Sequence, residues 1–313
     1  MTTLRNIPAV ALVGPTAIGK TALSLELARE FNCEIISVDS MQVYKYMDIG
    51  TAKIRPEEMA GIPHHLIDVA LPDEDYDAAR FVEDSSRAIQ EIDGRGRMPL
   101  LAGGTGLYLK ALTDGLFEDI PASEGIRNIL KQRLVVEGSS KLHEELETCD
   151  PASAKRIHPN DSSRIIRGLE IFLASGVPWS EHLLRQNRGG RKGAVGNILQ
   201  IGLTCDRQLL YERINFRSRL MLEHGLEDEV RRLLEMGFTE HLNSMGSIGY
   251  RHMLQYLHKI WSFDHMLEHL QRDTRRYAKR QYTWFNGIRG LEWFAATDAQ
   301  GIKKRIANWL SSR

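Results

Sequence analysis

Two hydrophobic patterns alternate along the first third of the chain. Apolar runs at residues 9–13 and 98–102 are typical of strands that are buried on both faces of a parallel sheet, and residues 33–38 form a short run rich in strand-forming residues. Between them, apolar residues recur with helical spacing at residues 22–30 and 80–92. Strands that alternate with helices predict an α/β fold, in which a parallel sheet carries helices on both faces.

The pattern changes near residue 117. The next 80 or so residues contain helical segments and almost no strand signal. An apolar run at residues 198–203 then predicts a strand that rejoins the sheet, and residues 207 onward are mostly helical. We therefore predict two parts: an α/β core with a helical C-terminal part, at residues 1–117 and 198–313, and a helical insertion domain at residues 118–197.

The loop after the first predicted strand has the sequence of a phosphate-binding loop. Residues 14–21 fit G-x-x-x-x-G-K-[ST] and stand between a strand and a helix, which is the context that this motif requires. Backbone N–H groups and the helix N-terminus would attract a polyphosphate or diphosphate, Lys20 adds a positive charge, and the Thr21 hydroxyl can ligate Mg²⁺. The alternative is an ordinary glycine-rich turn. The predicted phosphate-binding residues are Gly14, Pro15, Thr16, Ala17, Ile18, Gly19, Lys20 and Thr21.

Composition narrows the class of protein. Lys+Arg and Asp+Glu both number 41, so any nucleic-acid contact must come from local basic patches. The three cysteines lie far apart without C-x-x-C spacing, which fits a reducing cytosol, and His64-His65 has no third metal ligand at a convincing spacing. No apolar stretch approaches the roughly 20 residues that span a bilayer. The N-terminus lacks a signal peptide, so we expect a cytoplasmic protein.

Candidate polar residues follow two other predicted strands. Asp39 comes directly after the second predicted strand, residues 33–38, and Thr105 lies in a glycine-rich loop, residues 103–106, after the third. Because ligands of open parallel sheets bind at the carboxyl ends of strands, these residues and the phosphate loop are predicted to meet at one edge. Asp39 could hold Mg²⁺-bound water, act as a general base, or cap a helix. Thr105 could contact substrate or form a tight turn that opens a helix.

Two basic segments lie in the C-terminal part. Arg213 and Arg217 share one face of a predicted helix that also carries Arg219, so one guanidinium could reach the phosphate site. The alternative is a solvated face paired with acidic neighbours. Residues 272–289 contain five arginines and one lysine against one acid, interleaved with aromatic residues. This composition favours contact with the phosphates and unpaired bases of nucleic acid, although some of the aromatic side chains are expected in a core.

Seven short motifs together resemble a known family over nearly the whole chain. They are residues 14–21, 37–44, 48–53, 63–68, 103–108, 249–251 and 279–284. They closely match the bacterial tRNA dimethylallyltransferases, also called tRNA isopentenyltransferases. The resemblance implies a P-loop nucleotide-kinase-like core with a helical insertion that helps to hold the anticodon arm. It also implies transfer of a dimethylallyl group from dimethylallyl diphosphate to the exocyclic amine of the tRNA adenosine 3′-adjacent to the anticodon, assisted by Mg²⁺.

The resemblance further implies roles for single residues. Lys20, Mg²⁺ on Thr21 and Arg217 would stabilise the departing diphosphate, while Asp39 would take the proton from the adenine amine. No obligate protein partner and no membrane contact is evident. The residues implied to bind tRNA are Asp39, Ser40, Met41, Gln42, Thr105, Ser163, Arg164, Ile165, Ile166, Arg167, Gly246, Ser247, Ile248, Gly249, Tyr250, Arg251, Lys279, Arg280, Gln281, Tyr282, Thr283, Trp284, Phe285 and Asn286.

The chain departs from the family pattern at two places, and rival functions stay open. Ile18 stands where a small residue is usual, with its side chain expected to point away from the phosphates, and residues 244–248 match loosely. An adenylate isopentenyltransferase would act on free adenine nucleotides, but it would not need the insertion or the basic segment. A P-loop small-molecule kinase would bind ATP at the same loop, with Arg188 and Arg191 as a lid and Asp39 as base. The absence of an Asn-Lys-x-Asp motif weakens a GTPase switch.

Overall fold

The structure, a computed structural model, describes residues 4–115, 123–188 and 193–312. The chain divides into two compact units, Met1–Asp114 with Gly193–Arg313 and Gly115–Lys192. The smaller unit therefore ends before the predicted residue 197. The reason is that Val195 is buried in the core of the larger unit and its N–H bonds to Leu112 O at 3.2 Å. The other predicted boundary, between residues 117 and 118, lies outside the described residues.

Within the described residues, six strands form one parallel sheet in the larger unit. Their order is β3-β2-β4-β1-β5-β6, so the predicted α/β fold is confirmed and the strand after the insertion rejoins the sheet beside β1. Two short strands, β3 and β6, were not predicted. The strands are β1 (Ala9–Val13), β2 (Cys33–Val38), β3 (His64–His65), β4 (Met98–Gly103), β5 (Ile198–Thr204) and β6 (Leu291–Ala295).

The central strand β1 shows why its sequence is apolar throughout. Its side chains alternate between two hydrophobic cores, with Ala11 and Val13 on one face and Val10 and Leu12 on the other, all fully buried. A strand covered by helices on both faces cannot expose a polar side chain, because burying an unpaired polar group is costly. This explains an uninterrupted apolar run where a half-exposed strand would alternate.

Helices supply the remaining layers of both units. The larger unit contains the first three and the last five helices, and the smaller unit contains the others. In chain order they are α1 (Lys20–Glu30), α2 (Ala78–Gly94), α3 (Gly106–Asp114), α4 (Glu124–Glu137), α5 (Ser139–Cys149), α6 (Pro151–Arg156), α7 (Ser162–Ser175), α8 (Trp179–Arg188), α9 (Arg207–Glu223), α10 (Leu226–Glu235), α11 (Tyr250–Leu257), α12 (Phe263–Phe285) and α13 (Ala299–Ser311), with short 3₁₀ turns at Leu4–Asn6 and Pro56–Met59.

Helices α9 and α12 matter most for the candidate site. Asp206 caps α9 by accepting hydrogen bonds from Gln208 N and Leu209 N at 2.8 and 3.0 Å. The two helices are joined at Asn215, whose side-chain oxygen accepts a hydrogen bond from Arg275 at 2.6 Å. The basic segment predicted from sequence thus lies largely on a single long helix that is held against α9. No described helix is long and apolar enough to cross a membrane.

The smaller unit has a hydrophobic core of its own. Leu142, Leu146 and Ile165 are fully buried there. Glu170 is also fully buried, and it pairs with Arg127 and Arg167 at 3.1 and 2.9 Å. A buried carboxylate needs cations or several hydrogen-bond donors, because an unpaired charge in the interior is costly.

Candidate active site

Three loops meet at one edge of the sheet because the strands that precede them are neighbours. β2 and β1 pair with opposite sides of β4. The loop with Asp39, the phosphate loop and the glycine-rich loop therefore leave the carboxyl ends of adjacent strands. Parallel strands bring such loops together at the ligand-binding edge.

The glycine-rich loop is shaped by the protein's own packing. A Cβ on Gly103 would lie 2.1 Å from Val38 O, one on Gly104 would lie 2.2 Å from Gln281 Nε2, and one on Gly106 would lie 2.1 Å from the Trp284 ring. Only glycine admits such approaches. The Thr105 hydroxyl accepts a hydrogen bond from Ser40 N at 3.0 Å. It thus holds the backbone beside Asp39, and the alternative of a turn that opens a helix describes this loop well.

A first cavity of about 390 Å³ opens beside the phosphate loop, and we name it the phosphate-loop cavity. One wall is formed by residues 16–21 and another by α9. Apolar side chains occupy part of the surface, including Ile54, Ile67 and Phe216, and the last of these is 60% exposed. The cavity therefore combines an anion-binding surface with an apolar one.

Lys20 is folded back onto its own loop. Its Nζ donates to Gly14 O at 2.9 Å and to Pro15 O at 2.8 Å. Burial lowers the pKa of Lys20 to about 7, although the Asp39 carboxylate opposes this shift, and the Arg217 charge adds to it. The Ile18 side chain is 1% exposed and packs in the core. This agrees with the predicted orientation, away from the phosphates.

Arg213 and Arg217 reach the phosphate loop, so the alternative of a solvated face is wrong for both. Arg213 Nη1 donates to Ile18 O at 3.3 Å, and Arg217 Nη2 donates to the Thr16 hydroxyl. Burial lowers the pKa of Arg217, partly compensated by Asp39. Arg219, two residues further along α9, is exposed. The helix therefore presents two guanidinium groups to the site and turns a third away.

A second cavity of about 190 Å³ lies between α9, α12 and the segments around residues 50 and 247, and we name it the helical cavity. Its surface is mostly apolar and hydroxylic, with Met221, Leu270 and Thr274 among the lining residues. Ser247 also lines it, and its Oγ is buried without a hydrogen-bond partner in the described structure. A buried hydroxyl without a protein partner is uncommon, and either a water molecule or a ligand's polar atom in the cavity could satisfy this one.

The two cavities adjoin at a shared group of residues, which we name the junction. Asp39 Oδ1 accepts hydrogen bonds from Met41 N and Gln42 N at 2.9 and 3.4 Å, so one oxygen caps a turn, and no helix begins here as the helix-cap alternative would require. Among the described residues, none forms a hydrogen bond with Oδ2, which leaves that oxygen available to a ligand. Tyr277 is half-buried here, and desolvation followed by the nearby Asp39 charge raises its pKa. The junction residues are Thr16, Asp39, Thr51, Arg217 and Tyr277.

Gln281 lies at the phosphate loop. Its Oε1 accepts a hydrogen bond from Thr16 N at 2.8 Å, and its Nε2 donates to Gly104 O at 2.8 Å. The side chain is 5% exposed and lines the phosphate-loop cavity. It therefore joins two loops of the site instead of facing outward from α12.

The structure separates the other residues implied to bind tRNA into buried and accessible ones. The side chains of Ile165, Tyr250 and Phe285 are fully buried, and that of Ile166 is 8% exposed, so any RNA contact there would have to come from the backbone. The exposed ones are Ser163, Arg164, Gly246, Arg251, Lys279, Arg280, Thr283, Trp284 and Asn286, whereas Arg167, Ile248 and Tyr282 are half-buried. Their RNA-binding role stays a prediction. Residues 189–192 of the basic loop, with Arg191, lie outside the described residues, as does the side chain of Arg188.

His64 and His65 have local partners. His65 Nε2 lies 2.6 Å from the Glu34 carboxylate, and His64 Nδ1 lies 2.8 Å from Ile62 O. In the part of the chain that the structure describes, no group of three or more His, Cys, Asp or Glu residues could hold a metal ion. A divalent cation at the phosphate loop would therefore need ligand oxygens from its substrate.

Sequence reasoning missed Tyr277 and the role of Gln281, although a pattern for both exists. Leu270, Thr274, Tyr277 and Gln281 follow one another at helical spacing of four, three and four residues, so they form one stripe on α12. The stripe passes from the helical cavity to the phosphate-loop cavity. It could have been recognised as a polar interruption of an otherwise apolar face.

Known proteins match this chain along almost its full length. The family described as IPP transferase matches residues 42–288. The chain belongs to this family. A tRNA dimethylallyltransferase of Desulfotalea psychrophila is 54% identical over 98% of this chain and 96% of its own, and one of Carboxydothermus hydrogenoformans is 47% identical over 91% of each. The resemblance predicted from the motifs is therefore confirmed, and this member of the IPP transferase family is a prenyltransferase enzyme.

Solved structures of related proteins share the fold. The full-length tRNA isopentenylpyrophosphate transferase of Bacillus halodurans is 42% identical, covers 97% of both chains and superposes with a TM-score of 0.71. A eukaryotic dimethylallyltransferase acting on tRNA is 30% identical, with a TM-score of 0.82, and covers 98% of this chain and 80% of that chain. The architecture described above is thus that of the IPP transferases.

Proposed function

We propose that this chain transfers a dimethylallyl group from dimethylallyl diphosphate to the exocyclic amine of the adenosine 3′-adjacent to the anticodon of tRNA. The observation that carries the proposal is the junction. Two cavities of different chemistry adjoin there, one with a phosphate loop and one without, so two substrates can approach Asp39 from different sides. A kinase or an adenylate isopentenyltransferase would not need the basic α12 surface, and neither is favoured.

In the proposed reaction, a C–N bond forms between the adenine amine and C1 of the allyl group as the C1–O bond breaks. The electron pair of that bond leaves on the diphosphate, and the amine proton passes to the free oxygen of Asp39. Amide groups of the phosphate loop, Lys20 and Arg217 would stabilise the charge that develops on the leaving group. Arg213, also at the loop, would add to this field.

Mg²⁺ fits the donor set at the phosphate loop. The Thr21 hydroxyl lines the cavity, and among the described residues it has no protein hydrogen-bond partner. Mg²⁺ is usually held by one or two protein oxygens, several waters and substrate phosphates, so the lack of a dedicated carboxylate cluster is compatible with it. When bound, the ion would neutralise charge on the diphosphate.

The acceptor base would enter the helical cavity. Extruding a base from a stack costs a few kcal/mol and least in an already unpaired loop, which favours an anticodon loop over duplex RNA. Outside the cavity, α12 offers exposed cations such as Lys279 and Arg280, together with the partly exposed Trp284. Such side chains neutralise phosphates and stack on bases. Residues 163–167 of the smaller unit would add a further RNA contact, and a cytoplasmic location stays a prediction.

The test is transfer of label from dimethylallyl diphosphate, with Mg²⁺ and without ATP, to unmodified tRNA and in parallel to AMP. A tRNA with guanosine in place of the target adenosine is the matched control. We expect label on the adenosine-containing tRNA alone. Label on AMP would instead indicate an adenylate isopentenyltransferase. Absence of transfer to both acceptors would contradict the proposal and bring forward an assay for a kinase with ATP.

A further inference from the structure

The motif at residues 48–53 has no role in the chemistry proposed above, although it borders both cavities. Thr51 belongs to the junction, and Gly50 lines the helical cavity. The segment is not helical, and its backbone amides must therefore find partners elsewhere. The partners of these amides indicate what holds the segment in place beside the cavities.

A single buried carboxylate binds three consecutive amides of this segment. Glu229, on α10, is 1% exposed, and its carboxylate accepts hydrogen bonds from Asp48 N at 3.0 Å, Ile49 N at 2.7 Å and Gly50 N at 3.0 Å. Successive amides that converge on one anion form a strong, directional contact. Among the described residues no cation pairs with Glu229, so the charge is balanced by neutral donors alone.

Tyr250 completes the contact from a second helix. Its hydroxyl donates to Glu229 Oε1 at 2.6 Å, and its ring is fully buried against Gly50, where a Cβ would lie 2.4 Å from the ring. The preceding residue, Gly249, has a φ of +100°, a conformation that favours glycine and starts α11 in this direction. The Gly249-Tyr250 motif and the glycine at position 50 thus fit each other.

The segment is also tied at its other side. Thr51 Oγ1 donates to Met47 O at 2.7 Å, and Lys53 Nζ bonds to the carboxylates of Asp48 and Asp68, each at 2.6 Å. These contacts, together with Glu229, leave Thr51 little freedom at the junction. Ser247 and Ile248, just before Gly249, line the helical cavity. The same turn of the chain therefore connects this cavity to the hydrogen bonds that Glu229 and Tyr250 make, which we name the clamp.

We propose that Glu229 and Tyr250 are positioning residues, which fix residues 48–51 so that Thr51 and Gly50 hold the acceptor base against Asp39. A buried carboxylate without a cation costs stability relative to a neutral side chain, and its value here lies in the geometry that three aligned amides impose. The inference rests on the proposed function, since it assigns the acceptor to the helical cavity. Neither side chain lines the phosphate-loop cavity or the helical cavity, and in the described structure neither forms a hydrogen bond with the phosphate loop.

The test compares Glu229→Gln and Tyr250→Phe with matched controls on the same helices, Glu227→Gln and Tyr256→Phe. The Gln amide offers one oxygen and points an N–H₂ group at a backbone amide, so the segment loses part of its clamp. For Glu229→Gln we expect kcat to fall about ten- to 100-fold, as for a reactant misplaced by about 1 Å. KM for dimethylallyl diphosphate should stay within twofold. Tyr250→Phe should give a smaller fall in kcat, and both controls should match the wild type.

A second readout does not depend on activity. Amide hydrogen exchange of the peptide that covers residues 48–53 should be faster in both variants than in the wild type, with exchange of the phosphate loop unchanged. Wild-type transfer is measured first, so failure of the proposed function is seen separately from failure of the clamp. Unchanged kcat and unchanged exchange in Tyr250→Phe and Glu229→Gln would overturn the inference. A loss of activity that merely follows the folded fraction by circular dichroism would overturn it as well, and Tyr250→Phe serves if Glu229→Gln does not fold.

Discussion

The phosphate-loop cavity and the helical cavity differ in the charged and polar groups that line them. The first is lined by six consecutive residues of the phosphate loop, 16–21, with polar groups from several other segments and two arginines from α9. The second is assembled from several separated parts of the chain, and its surface carries hydroxyl and apolar groups with charge only at the junction. The first therefore suits a small, highly charged ligand, and the second suits a flat, largely neutral group such as a base. The difference indicates that the donor is recognised mainly through its charge and the acceptor mainly through neutral contacts, on either side of Asp39.

Removing the Asp39 carboxylate at the junction should have the largest effect on kcat. Asp39→Asn keeps an oxygen for the bond from Met41 N, so the turn is retained while the base is lost. We expect kcat to fall about 10²- to 10⁴-fold, the usual contribution of a general base. Single-turnover transfer and separate binding of tRNA measure the two effects. Lost tRNA binding with unchanged single-turnover chemistry would contradict the assignment.

Removing the Arg217 charge, which also lies at the junction, should have the second-largest effect on kcat. Arg217→Gln should lower kcat about 10²- to 10³-fold, since it removes one donor to a developing anion. Arg219→Gln, on the exposed side of the same helix, is the matched control and should leave kcat unchanged. If both variants behaved alike, the contact between Arg217 and Thr16 would not report a catalytic role.

Binding of diphosphate in the phosphate-loop cavity should depend on pH, because the Lys20 amine titrates there. With a pKa of about 7 in the free protein, this amine is charged below pH 7 and loses its proton as the pH rises above it. Because diphosphate favours the charged form, binding should take up a proton at pH 8 and weaken as the pH rises from 7 to 9. Calorimetry in two buffers of different ionisation enthalpy measures the uptake.

Lys20→Arg gives the matched comparison for this titration, since a guanidinium stays protonated throughout the range. Its proton uptake should be smaller than that of the wild type by the share that belongs to Lys20. Equal uptake in both proteins would mean that the protons come from the ligand or from another group.

The smallest effect is expected in the helical cavity. Ser247→Ala removes the unpartnered buried hydroxyl, and if that hydroxyl bonds to the acceptor base, KM for tRNA should rise about three- to tenfold. KM for dimethylallyl diphosphate should not change, which would separate the two cavities kinetically. An unchanged KM for tRNA would leave Ser247 without a part in acceptor binding.

The sequence predictions succeeded where a feature is encoded by a contiguous stretch of the chain. The strands β1, β2, β4 and β5, the phosphate loop and the position of Asp39 were predicted, because each is encoded by a short contiguous pattern. The edge strand β3, with two residues, and β6, only partly buried, were missed since neither has a long apolar run. The family was also predicted correctly from ordered motifs. The assignments of site residues to tRNA and diphosphate stay predictions.

The sequence by itself determined the parallel sheet, the phosphate loop at the end of β1 and the family, since strand burial, glycine spacing and motif order are local properties of the chain. The tertiary structure decided which distant side chains complete the site. Gln281 was assigned to RNA but bonds to Thr16 N, and Tyr250 was assigned to RNA but bonds to Glu229. Spacing shows which residues share a helix face, whereas the partner of that face depends on how helices far apart in sequence pack.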